Sequence, residues 1–133
     1  MADQIRLSKA TLSAEFARRV EELSGQSPYR CYQCGKCSAG CPFTESMDLL
    51  PSQVLRLVQI GDERVLEASA PWSCASCLAC EVRCPRGVDI AKVMEAVRLL
   101  ALRKGKTRLS MEGVAAERLP QIALVGISRK MTP

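Results

Sequence analysis

Apolar residues recur at helical spacing near the start of the chain. The positions on this first stripe are Leu12, Phe16, Val20 and Leu23. They fall on one face of an α-helix, because residues three and four apart lie above one another. Thr11 or Ser13 is the candidate N-cap, and Gly25 is the candidate stop. The pattern predicts a leading helix between these signals.

Two further stripes follow, each behind a start signal. Their apolar positions are Val54, Leu57 and Val58 in one, and Ile90, Val93, Val97, Leu100 and Ala101 in the other. Pro51 suits the first turn of a helix and Gly61 its end. Asp89 is the candidate N-cap of the last helix, which is expected to end at residues 103–105. Residues 65–68 are predicted to add a short turn.

Alternation of apolar and polar residues is confined to residues 121–128. This stretch is predicted to be a strand, or an extended segment lying on a partner. With hydrophobic residues at 47% and aromatic residues at 4%, the core is expected to be aliphatic. The predicted fold class is therefore all-α.

An internal repeat organises the eight cysteines. The first copy reads Cys31-x-x-Cys34-x-x-Cys37-x-x-x-Cys41-Pro42, and the second reads Cys74-x-x-Cys77-x-x-Cys80-x-x-x-Cys84-Pro85. Each cysteine of the second copy lies 43 positions after its counterpart. The likeness extends outward, since Tyr29 corresponds to Trp72 and the segment 47–49 to 88–90.

Four explanations compete for this pattern. Disulfides need an oxidising compartment, for which nothing in the sequence argues. Structural zinc favours two cysteine pairs separated by a loop, often with histidine, and the chain has no histidine. Free buried thiols would not recur at identical spacing. Iron–sulfur ligation remains the strongest interpretation, because this spacing is typical of two-cluster ferredoxins.

In such ferredoxins three cysteines hold one cluster and the fourth, followed by proline, turns away to the other cluster. The pattern thus predicts two 4Fe–4S clusters with crossed ligands. The first cluster uses Cys31, Cys34, Cys37 and Cys84, and the second uses Cys74, Cys77, Cys80 and Cys41. The predicted organisation is a helix segment over 1–30, a helical two-cluster ferredoxin domain over 31–105, and a basic, apolar tail over 106–133. The tail is expected to bind a partner, and a solvated chain end is the competing interpretation.

The formal charge of +5 sits mainly in the C-terminal part of the sequence, where residues 98–133 hold eight basic and two acidic side chains. Two oxidised clusters, each formally −2, would lower the net charge to about +1. The basic pI is therefore weak support for nucleic-acid binding. The N-terminal residues lack the apolar stretch of a signal peptide, and the apolar run 122–127 is short for a membrane span. The expectation is a cytoplasmic protein.

The first motif with its fill, Gln33-Cys34-Gly35-Lys36-Cys37-Ser38-Ala39-Gly40-Cys41-Pro42, resembles the C-type iron–sulfur subunit of heterodisulfide reductases. The second motif, with Trp72 before it and Arg86-Gly87-Val88-Asp89-Ile90 after it, is similar too. The resemblance covers about residues 11–105 and implies an α-helical ferredoxin. It also implies two partners, an A-type subunit that bears flavin and a B-type subunit that cleaves a disulfide, with this chain as the relay between them.

The leading hypothesis is therefore an electron-transfer subunit, not an enzyme by itself, in a hetero-oligomeric complex like heterodisulfide reductase. A free soluble ferredoxin that shuttles between enzymes is the alternative. A stand-alone enzyme is disfavoured, because all eight cysteines are used as ligands and histidine is absent. A nucleic-acid-binding module has only the basic tail in its favour.

Side chains near the ligands carry weaker expectations. Tyr29, Tyr32 and Trp72 either limit solvent access to the clusters or simply pack over them. Lys36 lies inside the first motif, whereas its counterpart Ala79 is neutral. A nearby cation stabilises the more negative reduced state, so the first cluster is predicted to have the higher potential. A solvated Lys36 without that effect is the competing interpretation.

Overall fold

The computed structural model describes residues 13–104 and 119–131, and side chains up to residue 127. Within these ranges the chain forms helices, turns and loops and no β-strand, so the all-α prediction is confirmed. The helices are α1 (Ala14–Ser24), α2 (Lys36–Ala39), α3 (Pro51–Ile60), α4 (Ala70–Ser73), α5 (Ala79–Arg83), α6 (Ile90–Arg103) and α7 (Gln121–Met131). Short 3₁₀ segments lie at Pro28–Arg30, Thr44–Ser46 and Glu63–Leu66.

The ends of α1 follow the sequence signals. The Ser13 hydroxyl accepts the backbone N–H of Phe16 at 3.2 Å, so Ser13 is the N-cap. Gly25 ends the helix with a φ of 65°, which glycine adopts without strain. The alternative cap Thr11 and the stripe position Leu12 lie outside the described residues.

Helices α3 and α6 also begin and end close to their predicted signals. Pro51 stands in the first turn of α3, and Gly61 ends it at a φ of 73°. A Cβ at Gly61 would lie 2.2 Å from the Ser13 carbonyl oxygen, so this position requires glycine. The Asp89 carboxylate accepts the backbone N–H of Lys92 at 3.1 Å and caps α6. The predicted turn at 65–68 overlaps the 3₁₀ segment Glu63–Leu66, which begins two residues earlier.

The core is aliphatic and is built where α1, α3 and α6 pack against one another. Its most deeply buried side chains include Val20, Val54, Leu55, Val58, Val65, Val88, Ile90, Val93, Met94 and Val97. Burying each such side chain contributes about 1.5–3 kcal/mol. This three-helix platform fixes the segments that lead into both cysteine loops, because α4 and α5 also pack on α6 and α2 packs on α3.

The prediction of a strand over residues 121–128 was wrong. This stretch is the helix α7, whose first turn closes when the Ala123 N–H donates to the Pro120 carbonyl at 2.9 Å. An extended segment needs a neighbouring strand to satisfy its backbone groups, and the described residues offer none. A helix satisfies these groups internally, which overrides the alternating pattern. Across the described ranges, no helix has the length and apolarity required to cross a membrane.

Candidate metal centre

The two cysteine loops share one backbone conformation. Gln33 and Ser76, which correspond through the 43-residue offset, have φ angles of 64° and 54°. Gly35 and Leu78 also correspond, with φ angles of 77° and 62°. Each loop then enters a short helix, α2 after Gly35 and α5 after Leu78. The repeat in sequence is therefore also a repeat in conformation.

Leu78 is the unusual member of this set. The left-handed region costs an L-residue roughly 1–2 kcal/mol, and bulky side chains are rare there. Its counterpart Gly35 adopts the same conformation freely. The first loop thus avoids the strain with glycine at this position, whereas the second loop has a large apolar side chain there.

A cavity beside the second loop is lined by four cysteines. Three of them, Cys74, Cys77 and Cys80, belong to the second copy, and the fourth is Cys41 of the first copy. The rest of the wall is mostly apolar and includes Phe43, Met47, Leu78, Ile90 and Met94. The space free of protein atoms is about 380 Å³, counting the part open to solvent. Four thiols around one apolar hollow fit the donor chemistry of a 4Fe–4S cluster.

Two of the remaining four cysteines, one from each copy, lie near the same tyrosine. The pKa of Tyr32 is raised, first by desolvation and then by the charge of Cys34 and a hydrogen bond to it. Arg86 opposes this rise, and Cys84 adds to it. Tyr32 therefore lies near cysteines of both copies, since Cys34 belongs to the first and Cys84 to the second.

The third cysteine of each copy is half-buried or buried and holds its proton more tightly. Burial raises the pKa of Cys37, although hydrogen bonds from Ser38 oppose the rise. Burial, followed by the charge of Cys74, raises the pKa of Cys80 to about 11. Cys37 also contributes to the rise at Cys80, so the inner cysteines of the two copies are close. Because metals bind thiolates, cluster assembly must displace these protons.

The described residues contain no group of three or more His, Cys, Asp or Glu side chains that converges on a single metal ion. The four thiols of the cavity instead surround a hollow. The predicted second set of ligands therefore lines one space. Of the predicted first set, Cys34 and Cys84 both lie near Tyr32.

Hydrogen bonds reach two sulfur atoms of the first set. The Gln33 backbone N–H donates to Cys31 Sγ at 3.3 Å, and its side-chain amide does so at 3.5 Å. The Val88 N–H donates to Cys84 Sγ at 3.4 Å. Such bonds stabilise negative charge on sulfur and thereby tune a bound cluster.

Gln59 of α3 anchors the first loop. Its side-chain amide donates to the carbonyls of Pro28 and Cys31, both at 2.8 Å. It also accepts from the Gln33 amide at 3.4 Å. Sequence reasoning missed this residue, because a glutamine on a helix acquires such a role only through contacts 28 and 31 residues away.

Asp48 anchors the second loop. Its carboxylate accepts the backbone N–H groups of Ser69 and Ala70, both at 2.8 Å, at the start of α4. Burial raises the pKa of Asp48, but these hydrogen bonds outweigh it and leave the pKa below its usual range. Since α4 leads directly into Cys74, Asp48 fixes the entry to the second loop.

The aromatic side chains beside the cysteines differ in their exposure. Tyr29 and Tyr32 are each 60% exposed, whereas Trp72 is partly buried and packs against the core. Of the three, Trp72 is therefore the one that packs on the core. Lys36 is exposed and takes part in none of the ion pairs within the described residues.

The 4Fe-4S dicluster domain family matches residues 27–88 of the chain. This match spans both cysteine copies, whose loops have just been described. The chain therefore carries a two-cluster iron–sulfur domain, and its cofactors are two 4Fe–4S clusters.

Three similar proteins narrow this class, and each of them is a C-type subunit. The one from the ferredoxin:CoB-CoM heterodisulfide reductase of Methanosarcina acetivorans is 38% identical over 76 residues, which are 57% of this chain and 31% of the relative. The one from the H(2):CoB-CoM heterodisulfide,ferredoxin reductase of Methanothermobacter thermautotrophicus is 30% identical over 100 residues, 74% of this chain and 54% of the relative. A CoB--CoM heterodisulfide reductase iron-sulfur subunit of Methanocaldococcus jannaschii is 36% identical over 86 residues, 65% and 46% respectively.

The chain is thus a homologue of the C-type iron–sulfur subunit of heterodisulfide reductases, as its motifs predicted. These relatives are named as subunits of oxidoreductase complexes. The match spans from about a third to about half of the length of these three relatives.

Proposed function

We propose that this protein is an electron-relay subunit of a heterodisulfide-reductase-like complex. It relays electrons between two partners. They are a flavin-containing A-type subunit and a catalytic B-type subunit of the disulfide-reductase kind. The observation that carries this proposal is the pair of adjoining cysteine sets, one exposing Cys34 and the other Cys77. Two clusters held this way give an electron one point of entry and another of exit.

The ligand sets of the proposal are crossed. The first cluster is held by Cys31, Cys34, Cys37 and Cys84, and the second by Cys74, Cys77, Cys80 and Cys41. The cavity that combines Cys41 with three cysteines of the second copy supports the second set. The joint effect of Cys34 and Cys84 on Tyr32 supports the first. When bound, each cluster supplies one-electron chemistry, and the chain supplies the ligands and the surroundings.

The edges beside the two sets differ in surface chemistry, which suits two different partners. The exposed residues Arg30, Tyr32, Lys36 and Arg86 surround the first loop. Arg86 donates to the Arg30 carbonyl at 3.2 Å, which joins the two copies at this edge. Phe43, Leu78 and Val82 are exposed apolar side chains on the second side. A relay needs one docking face for each partner.

Catalysis is assigned to a partner in the complex, because all eight cysteines serve as ligands in this proposal and the sequence has no histidine. The tail over 106–133 is proposed to bind a partner, which the 82% exposure of Ile122 on α7 supports. We place the assembled complex in the cytoplasm.

The test is anaerobic co-purification from a strain that also expresses the candidate flavin-containing and catalytic subunits, with the affinity tag on this chain. We expect flavin in the eluate, about eight irons per copy of this chain beyond those of its partners, and reduction of these clusters by the flavin-containing partner. A chain that elutes alone with about eight irons would favour the free shuttle. Zinc without sulfide would refute electron transfer altogether.

A further inference from the structure

We propose that Leu78 is a solvent shield for the second cluster, held in a strained conformation because its side chain closes the mouth of the cysteine-lined cavity. The role adds to the electron-relay function without depending on it, since it concerns a cluster and its surroundings. It requires only that the cavity holds one of the two clusters.

The first argument is the comparison with Gly35. Both residues precede a short helix with nearly identical angles, φ 62° and ψ 3° for Leu78 and φ 77° and ψ 1° for Gly35. A glycine at 78 would adopt this conformation without strain. Strained residues persist where the surrounding structure and function require them. A side chain that remains at such a position is expected to have a use.

The second argument is the position of the side chain. Leu78 lines the cavity together with Cys74, Cys77 and Cys80, and it is also 46% exposed. One side of the residue therefore faces the cysteines and the other faces solvent. Its neighbour Val82 is 85% exposed and does not line the cavity.

The physical consequence follows from the charge of the cluster. Reduction adds one electron and makes the cluster more negative, and water stabilises the more negative state. A side chain that excludes water therefore lowers the reduction potential of the cluster it covers. It also restricts the access of dioxygen, which oxidises and destroys exposed clusters.

The experiment compares variants of the holoprotein in anaerobic potentiometric titrations followed by EPR. We expect Leu78→Gly to raise the potential of one cluster and leave the other unchanged. In air, one of the two clusters of this variant should be lost faster than in the wild type. That loss should remove about half of the cluster absorbance. Leu78→Asn tolerates the left-handed conformation but is polar, so it should shift the same potential in the same direction. Leu78→Met keeps an apolar side chain and should retain the wild-type potentials.

Val82→Ala is the matched control, because it removes exposed apolar surface from α5, the helix that follows Leu78, without touching the cavity. It should leave both potentials and the rate of bleaching in air unchanged. Unmoved potentials in Leu78→Gly, or an equal shift of both clusters, would overturn the shield. So would a Leu78→Met variant that shifts as far as Leu78→Gly. If Leu78→Gly assembles only one cluster, the side chain is needed for assembly and the shielding role is likewise refuted.

Discussion

The two cysteine loops have the same backbone and different surroundings. Corresponding residues take left-handed angles at the same two positions, so the spacing of the cysteines sets the conformation. The side chains between them differ, with Gly35-Lys36 in the first loop and Leu78-Ala79 in the second. Backbone N–H groups of Gln33 and Val88 donate to Cys31 and Cys84 in the proposed first set, and the backbone N–H of Glu81 reaches Cys80 in the second.

This difference separates two tasks within one repeat. The spacing is responsible for holding a cluster, and the intervening residues adjust how readily that cluster accepts an electron. A relay benefits from clusters that are alike in ligation and unlike in potential, because the difference gives electron flow a direction. The predictions below first test which cysteines belong to which loop, and then what each loop adds.

Exchanging single ligands should produce the largest effect. We expect Cys84→Ala to lose the same cluster as Cys34→Ala, and Cys41→Ala to lose the same cluster as Cys77→Ala. Each variant should fall from about eight irons to about four, because one of two clusters is lost. Iron analysis and the EPR spectrum of the remaining cluster provide the measurement. If Cys84→Ala instead matches Cys77→Ala, the clusters are not crossed.

Substitution of Gln59, which anchors the first loop, should have the next largest effect. Gln59→Leu removes the donor that holds two backbone carbonyls, and each hydrogen bond is worth about 0.5–1.5 kcal/mol. We expect the anaerobic holoprotein to lose about 1–3 kcal/mol of unfolding free energy in guanidinium. Its first cluster should also be lost first to a chelator.

Gln59→Glu separates hydrogen bonding from size, since a carboxylate of the same length cannot donate to the carbonyls. It should be at least as destabilising as Gln59→Leu. Wild-type stability in both variants would mean that the first loop holds its shape without α3.

The anchor of the second loop should give a smaller effect on the other cluster. Asp48→Ala removes an acceptor at the start of α4, and losses of this kind cost about 0.5–2 kcal/mol. We expect chelation of the second cluster to become faster while the first is unchanged. Glu45→Ala, at an exposed acid three residues earlier, is the control and should behave as wild type. Faster loss of the first cluster would contradict the assignment of Asp48 to the second loop.

These two anchors mark the limit of what the sequence predicts. The caps Ser13 and Asp89, the stop residues Gly25 and Gly61, and the buried stripes depend on neighbours within a few residues. They were therefore readable from local pattern. Gln59 and Asp48 act on segments more than twenty positions away, so no local signal identifies them.

The same distinction explains residues 121–128, where alternation favoured a strand. The alternation of apolar and polar residues does not indicate whether a neighbouring strand is available for pairing. The described part of the structure contains no such strand. The left-handed angle of Leu78 was equally hidden, because leucine carries no sequence signal for positive φ. Only comparison with Gly35 through the repeat would have pointed to it.

Lys36 should give the smallest effect, and it tests directly whether intervening residues set the potentials. Lys36→Ala removes an exposed cation from the first loop, and exposed charge interactions are worth roughly 0.2–1 kcal/mol. For a one-electron couple this corresponds to a fall of about 10–40 mV in the potential of the first cluster. The potential of the second cluster should not change.

The reciprocal change Ala79→Lys should raise the potential of the second cluster by a similar amount. It should therefore narrow the difference between the two potentials. Both shifts should shrink as salt concentration rises, because ions screen exposed charges. If neither substitution changes a potential, the intervening charges do not set the potentials. Hydrogen bonds to sulfur and solvent access would then be the sources of any difference in potential between the two clusters.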